Sequence, residues 1–221
     1  MQTIIRSKNV LINQKFQPAD ITIQGRYITA INPYKTLDVA IDLGNRRIVP
    51  GFVDLHSDAI EKEIEPRPGA RFPLQMAVIE LDKKLSMAGI TTMYHAIGFN
   101  DEELQKGRGT EQSSELIEAL YVANKSKLEV DNFIHARFEI TSHSSNDTIK
   151  KLIRDKKVNM LAIMDHSPGQ GQFKTMESWK KYHLKSYQID ENEVDAYIKS
   201  KAGKDKVHVV EDLVRFAQSY H

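Results

Sequence analysis

Apolar and polar positions alternate in short runs over the first fifty residues, then give way to longer helix-spaced runs separated by apolar stretches. Thr3 to Ile5, Val10 to Ile12, Ile21 to Ile23, Tyr27 to Ile31 and Val39 to Ile41 read as short strands, with Gly25-Arg26 and Asn32-Pro33 as turns. Residues 1–50 are therefore expected to form a small β-sheet segment with little core of its own. After Pro50-Gly51 the apolar stretches Phe52 to Leu55, Ile90 to Ile97, Asn132 to Ile140 and Val158 to Met164 read as buried strands. Between them lie predicted helices at Met76 to Ala88, Glu115 to Lys125 and Thr148 to Arg154. Met76, Ile79 and Leu85 form the apolar side of the first, which Gly89 closes; Leu116, Leu120 and Val122 form that of the second. Asp58 to Pro73 reads as a long polar loop. Met176 to His221 reads as mostly helical, with Val194 and Tyr197, then Val209, Leu213 and Phe216, at apolar spacings.

Strands alternating with helices imply β/α units on a parallel sheet. A closed barrel of this kind has eight strands and about 250 residues, whereas residues 51–221 supply four units. The expected fold class is α/β, an incomplete (β/α)8 TIM-type barrel over 51–221 preceded by the β-sheet segment over 1–50. An incomplete barrel exposes strand edges and an uncovered core, which favours pairing with a missing C-terminal half or a homo-oligomer.

Composition narrows the chemistry. Of 221 residues, 31 are Lys or Arg and 30 are Asp or Glu, so no global basic field points to nucleic acid or a membrane surface. An anionic ligand must be met by local basic groups. The absence of cysteine excludes a disulfide framework and thiolate metal ligation. Met1 to Val10 lacks the apolar core of a signal peptide, and no apolar run approaches ~18 residues. A soluble, cytoplasmic protein is expected.

Ligand-type residues gather at the C-terminal ends of the predicted strands, where β/α barrels build active sites. His56 and Asp58 follow the first strand. Residues two apart in a strand share a side, so the pair can hold a divalent ion, although it also reads as a polar strand end. Glu139 ends the third strand; Asp165 and His166 follow the fourth. Ser167-Pro168-Gly169-Gln170-Gly171-Gln172 is a glycine-rich turn able to cradle an anion. Lys62, Arg67 and Arg71 lie in the long loop, where guanidinium groups can grip phosphate. Lys106 and Arg108 make a weaker basic cluster. His143 is a possible proton shuttle or a surface residue; His95 and His135 read as satisfied core histidines. His183, His208 and His221 read as helix or surface residues, and Trp179, Tyr182 and Tyr187 as helix packing.

The stretch V-P-G-F-V-D-L-H (Val49 to His56) after a β-rich segment resembles the amidohydrolase superfamily of metal-dependent hydrolases. Most members end this strand His-x-His; here it is His-x-Asp. That variant, with Leu55 to Pro68, A-G-I-T-T (Ala88 to Thr92), R-F-E-I-T-S-H (Arg137 to His143) and M-D-H-S-P-G-Q-G-Q-F (Met164 to Phe173), is similar to a branch of diphosphatases of the carbon–phosphorus lyase pathway. The chain looks like the N-terminal part of such an enzyme. The resemblance implies that residues 1–50 belong to a composite β-sandwich. It implies one or two divalent ions such as Zn or Mn, held by His56, Asp58, Glu139 and His166, with Glu139 bridging. Glu139, Asp165 and His166 would be catalytic, Asp165 orienting His166, and Lys62, Arg67, Arg71, Ser167, Gly169 and Gln170 would bind a phosphorylated small molecule. The implied reaction is hydrolysis of a ribose 1-methylphosphonate 5-triphosphate to the 5-phosphate and pyrophosphate. Alternatives are a deacetylase or deaminase of the same superfamily, or an inactive fragment.

Overall fold

The structure is a computed structural model that describes residues 2–38, 41–67, 69–100, 109–126, 128–167, 173–187, 190–201 and 206–220. The chain divides into two compact units, Met1–Gly51 and Phe52–His221. No helix among the described residues is long and apolar enough to cross a membrane.

The first unit is one sheet. β1 (Gln2–Ile12) pairs antiparallel with β2 (Lys15–Gln24), which pairs antiparallel with β3 (Tyr27–Pro33); β4 (Ile41–Asp42) and β5 (Arg47–Ile48) lie parallel to β1. The two strands expected at Thr3 and Val10 are therefore one, irregular between Ser7 and Val10. Its apolar core is small, centred on Val10, Ala19 and Ile21. A buried ion pair supplements it. Asp20 accepts from Arg6 Nε at 2.7 Å and Nη2 at 2.8 Å, and from the backbone N–H groups of Lys35, Thr36 and Leu37. The bonds from Arg6 lead the causes that hold the Asp20 carboxyl far below the usual carboxylate range, against the effect of burial.

The second unit begins with β6 (Phe52–Ser57), a short helix α1 (Ala59–Ile64) and α2 (Leu74–Met87). β7 (Ile90–Phe99), α3 (Thr110–Ala123), β8 (Asp131–Glu139), α4 (Asn146–Arg154) and β9 (Met160–Met164) follow; α5 (Met176–Tyr187), α6 (Glu191–Lys201) and α7 (Lys206–Gln218) complete the unit. The strands form a parallel sheet in the order β6-β7-β8-β9. This is the half-barrel expected from the alternation.

One face of the sheet packs on helices. Met93, Ile97 and Phe99 of β7 and Ile134, Ala136 and Phe138 of β8 meet Leu81, Leu85, Leu116, Ile117 and Leu120 in one core. The other face of β8 then carries Phe133, His135, Arg137 and Glu139, because side chains alternate along a strand. The N-terminal end of β8 is held by Asp82, buried on α2, which accepts the backbone N–H groups of Glu129 and Val130 at 3.0 Å each. Gly89 turns the chain from α2 into β7 at a φ of 79°, a left-handed value that disfavours other residues.

Three local expectations are corrected. The loop from Asp58 contains α1, which Ile60 and Ile64, one helical turn apart, anchor in the core. The buried side of α2 is Ala77, Val78, Leu81 and Leu85, so Met76 and Ile79 are exposed; the period was right and the face rotated by about one residue. Likewise Ile117, not Val122, joins Leu116 and Leu120 inside.

β6 and β9 each have one strand neighbour among the described residues. Phe52, Val53 and Leu55 on β6 are each more than half exposed. Unpaired edges carrying apolar side chains promote association. We predict concentration-dependent self-association of the chain in sedimentation velocity, reduced by Val53→Lys. In the first unit, Asp20→Asn should lower the melting temperature by about 5 °C or more. Because the Asp20 pKa is depressed on folding, its stabilisation is complete above the ordinary carboxylate range and is lost only as pH falls through the folded value. Thermal melts should therefore show the difference between the two chains unchanged across about pH 5 to 8 and shrinking in strong acid.

Candidate active site

β8 and β9 bring the second group of candidate residues together. Glu139 lies opposite Met164 in the parallel register, and the ladder continues through a bond from Ile140 N–H to the Met164 carbonyl at 3.0 Å. His166, two residues past Met164, therefore returns to the side of Glu139. Its ring Nδ1 lies 2.7 Å from Glu139 Oε2, and its backbone N–H points at both carboxylate oxygens at 3.3 and 3.4 Å. The Thr141 hydroxyl donates to Oε1 at 3.3 Å. Glu139 is buried while the His166 side chain is about half exposed (46%). A buried carboxylate that takes the Nδ1 proton in a hydrogen bond leaves Nε2 as the outward-facing nitrogen, available as base or ligand.

Trp179 on α5 holds this histidine from behind. Its indole Nε1–H donates to the His166 carbonyl at 2.8 Å, and its ring is buried with Phe173 and Val194. His183 stacks on that indole, with ring centroids 3.7 Å apart, and burial lowers its pKa. It is a packed residue, not a surface one. The lone tryptophan was the available sequence signal for this support.

Asp165 does not orient His166. Its Oδ1 accepts the Ser167 backbone N–H at 2.9 Å, and Lys206 Nζ stands 3.4 Å from each carboxylate oxygen and 2.6 Å from the Ser167 hydroxyl. Adjacent residues leave a strand on opposite sides, so the two side chains separate. Burial raises the Asp165 pKa, but the Ser167 hydroxyl and amide and the Lys206 charge outweigh it and leave a net depression. Lys206, at the start of α7, had no sequence signal, because only the tertiary fold returns that helix to the end of β9.

The first group lies elsewhere on the same face. His56 ends β6 and meets His135 edge to face, with ring centroids 4.9 Å apart. His135 Nδ1 lies 2.9 Å from the Leu55 carbonyl and so donates to it; Nε2 is buried with no partner among the described residues. The expectation of a fully satisfied core histidine fails at that nitrogen. His95 sits on the helix side and donates Nε2–H to Asn132 Oδ1 at 2.7 Å, and its Nδ1, too, is buried with no partner among the described residues. Burial, then the charges of Arg137 and His135, lower the His56 pKa, while Asp58 and Asp54 pull it up. Asp58 is exposed and stands at the N-cap position of α1, without a side-chain capping bond, beyond the end of β6, so strand alternation does not govern where it points.

Four strand residues, about 13 Å, separate His135 from Glu139 along β8. Among the described residues no three His, Asp or Glu side chains are grouped so that they could hold a metal ion. The expected set of His56, Asp58, Glu139 and His166 thus falls into two clusters, with Glu139 bonded to His166. The donor chemistry still fits a divalent ion at two places: an orphaned imidazole nitrogen beside His56, and the exposed Nε2 of His166.

Lys62 lies on α1, and Arg67 and Arg71 follow it; all three are exposed and unpaired among the described residues. Gly169, Gln170, Lys106 and Arg108 lie outside the described residues. His143 opens a single 3-10 turn after β8, and its Nε2 is buried without a partner among the described residues.

No family model matches the chain. It is similar to the alpha-D-ribose 1-methylphosphonate 5-triphosphate diphosphatase of Escherichia coli strain K12, with 26% identity over 196 residues that cover 88% of this chain and 52% of that protein. The chain thus spans about half the length of this curated relative. Among solved structures, a D-hydantoinase superposes with a TM-score of 0.51 and 13% identity, covering 100% of this chain and 50% of that one. The dihydropyrimidinase of Brevibacillus agri NCHU1002 gives 0.50 and 13%, with 100% and 50% covered. An adenosine deaminase from Xanthomonas campestris with bound Zn gives 0.50 and 10%, with 92% and 56% covered. The half-barrel fold is shared with these hydrolases, and the resemblance seen in the sequence motifs holds.

Lys206→Met should move the Asp165 pKa up toward the ordinary carboxylate value, because it deletes a cation that favours the ionised form. A carboxyl-carbon NMR titration reads this directly; an unchanged value would assign the depression to Ser167 alone.

Proposed function

We propose that the chain forms the N-terminal half of a metal-dependent diphosphatase that hydrolyses α-D-ribose 1-methylphosphonate 5-triphosphate to the 5-phosphate and pyrophosphate, in the cytoplasm. The observation that carries the reading is the Glu139–His166 dyad beside Lys206 and Ser167, at the C-terminal ends of β8 and β9. It is supported by the similarity to a diphosphatase over most of the chain and by the D-H-S-P-G-Q motif that contains His166.

The overall step breaks the anhydride bond between the first and second phosphoryl groups. Water adds to phosphorus, pyrophosphate leaves, and one proton must be removed. His166 is the residue placed to take that proton at Nε2, with Glu139 stabilising the ring that gains it. Lys206 and the Ser167 hydroxyl stand where negative charge on a phosphoryl oxygen can be met by a cation and a donor. Lys62, Arg67 and Arg71 are exposed cations after β6 that can contact the outer phosphates. His56 and Asp58 are the residues we assign to holding a divalent ion, apart from His166, whose Nε2 is kept for the proton. The chemistry such an ion supplies there is polarisation of phosphoryl oxygens and activation of water.

The test is pyrophosphate release from the triphosphate substrate, by the chain with added Zn or Mn, and after addition of the remaining half of the Escherichia coli relative. Pyrophosphate should appear, and Glu139→Gln should lower kcat by about 100-fold or more. Release of ammonia or acetate from amide or amidine substrates, with no pyrophosphate from the triphosphate, would replace this reading with that of a deaminase or deacetylase.

A further inference from the structure

Arg137 stands on the inward face of β8, two residues from His135 and two from Glu139. Its Nε is buried without a hydrogen-bond partner, and no carboxylate forms an ion pair with its guanidinium among the described residues. Glu139, two residues along the strand on that face, is bonded to His166. The parallel register places Gly98 on one side of Arg137 and Ala162 on the other. These two small residues leave the guanidinium room to lie across the sheet. A Cβ built on Gly98 would stand 3.8 Å from Arg137 Nη2 and 3.6 Å from Asn100 Nδ2. A cation and an amide donor therefore converge over the one strand position that has no side chain.

A partly buried guanidinium without a counter-charge is costly, because its buried Nε–H has lost water and gained no partner. Its planar fork matches two oxygens of a phosphoryl or phosphonate group. We infer that Arg137, with Asn100 beside it, is an oxyanion-binding position on the inner face of the half-barrel, taking a phosphoryl or phosphonate group of the substrate. Only the source of the anion rests on the proposed diphosphatase reaction; the site itself rests on the geometry around Gly98.

The test is calorimetric titration of the metal-free chain with inorganic tripolyphosphate and, separately, with methylphosphonate. Arg137→Met should weaken oxyanion binding about tenfold or more, Arg137→Lys by less, and Lys8→Met, an exposed cation in the other unit, not at all. Arg137-dependent binding of tripolyphosphate assigns the triphosphate end of the substrate to this position; Arg137-dependent binding of methylphosphonate alone assigns the phosphonate end. Equal affinity in Arg137→Met, or no binding of either anion by the unsubstituted chain, overturns the inference. A second readout needs no Met variant. In the arginine-15N-labelled chain, the Nε–H signal missing from the spectrum of Arg137→Lys should shift on anion addition, and a signal that stays put overturns the site. Arg137-dependent binding without pyrophosphate release would count against the reaction and not the site. Pyrophosphate release with unaltered anion binding by Arg137→Met would do the reverse.

Discussion

Everything on the inner face depends on the parallel register of β8 between β7 and β9. That register sets Gly98, Arg137 and Ala162 in one row, and Glu139 with Met164 two positions further on. Because strand side chains alternate, the same ladder that buries Ile134, Ala136 and Phe138 under the helices presents His135, Arg137 and Glu139 on the opposite side. A slip of one residue would exchange the core for the site. The Asp82 carboxylate, bonded to the backbone at the start of β8, and Asn159, whose side chain accepts the Ile134 N–H at 2.9 Å, resist such a slip from both sides.

The register also explains why the polar residues divide into two clusters. One surrounds His56 and His135, at the level where β6 meets β8 through the Leu55 carbonyl. The other surrounds Glu139 and His166, about four strand residues higher, with Lys206 and Trp179 arriving from helices that follow the sheet. Arg137 lies between them with no ion-pair partner among the described residues.

The relation to larger hydrolases has a physical side. β6 and β9 are edges, and the apolar side chains of β6 face solvent. The helix-covered face is already a continuous core, so the four β/α units can hold together while the opposite face stays open. That open face is where the candidate ligands and cations stand.

The alternation of strands and helices, four units in number, was legible from hydrophobic period alone, as were the strand ends that carry His56, Glu139 and His166. Periodicity determines which residues can share a face, and turn residues such as Gly89 mark where elements stop. It left open which face of α2 turns inward, since Met76 and Ile79 fit a helical stripe as well as Val78 and Leu81 do. Nor did spacing reveal that Asp58 sits at a helix start beyond its strand, because a strand end and a cap read alike. The partnerships were decided only by the tertiary structure: Glu139 with His166, Asp165 with Lys206, and His135 half satisfied by the Leu55 carbonyl. These depend on inter-strand register and on where α5 and α7 return, contacts between residues 27 to 80 positions apart that no local pattern encodes.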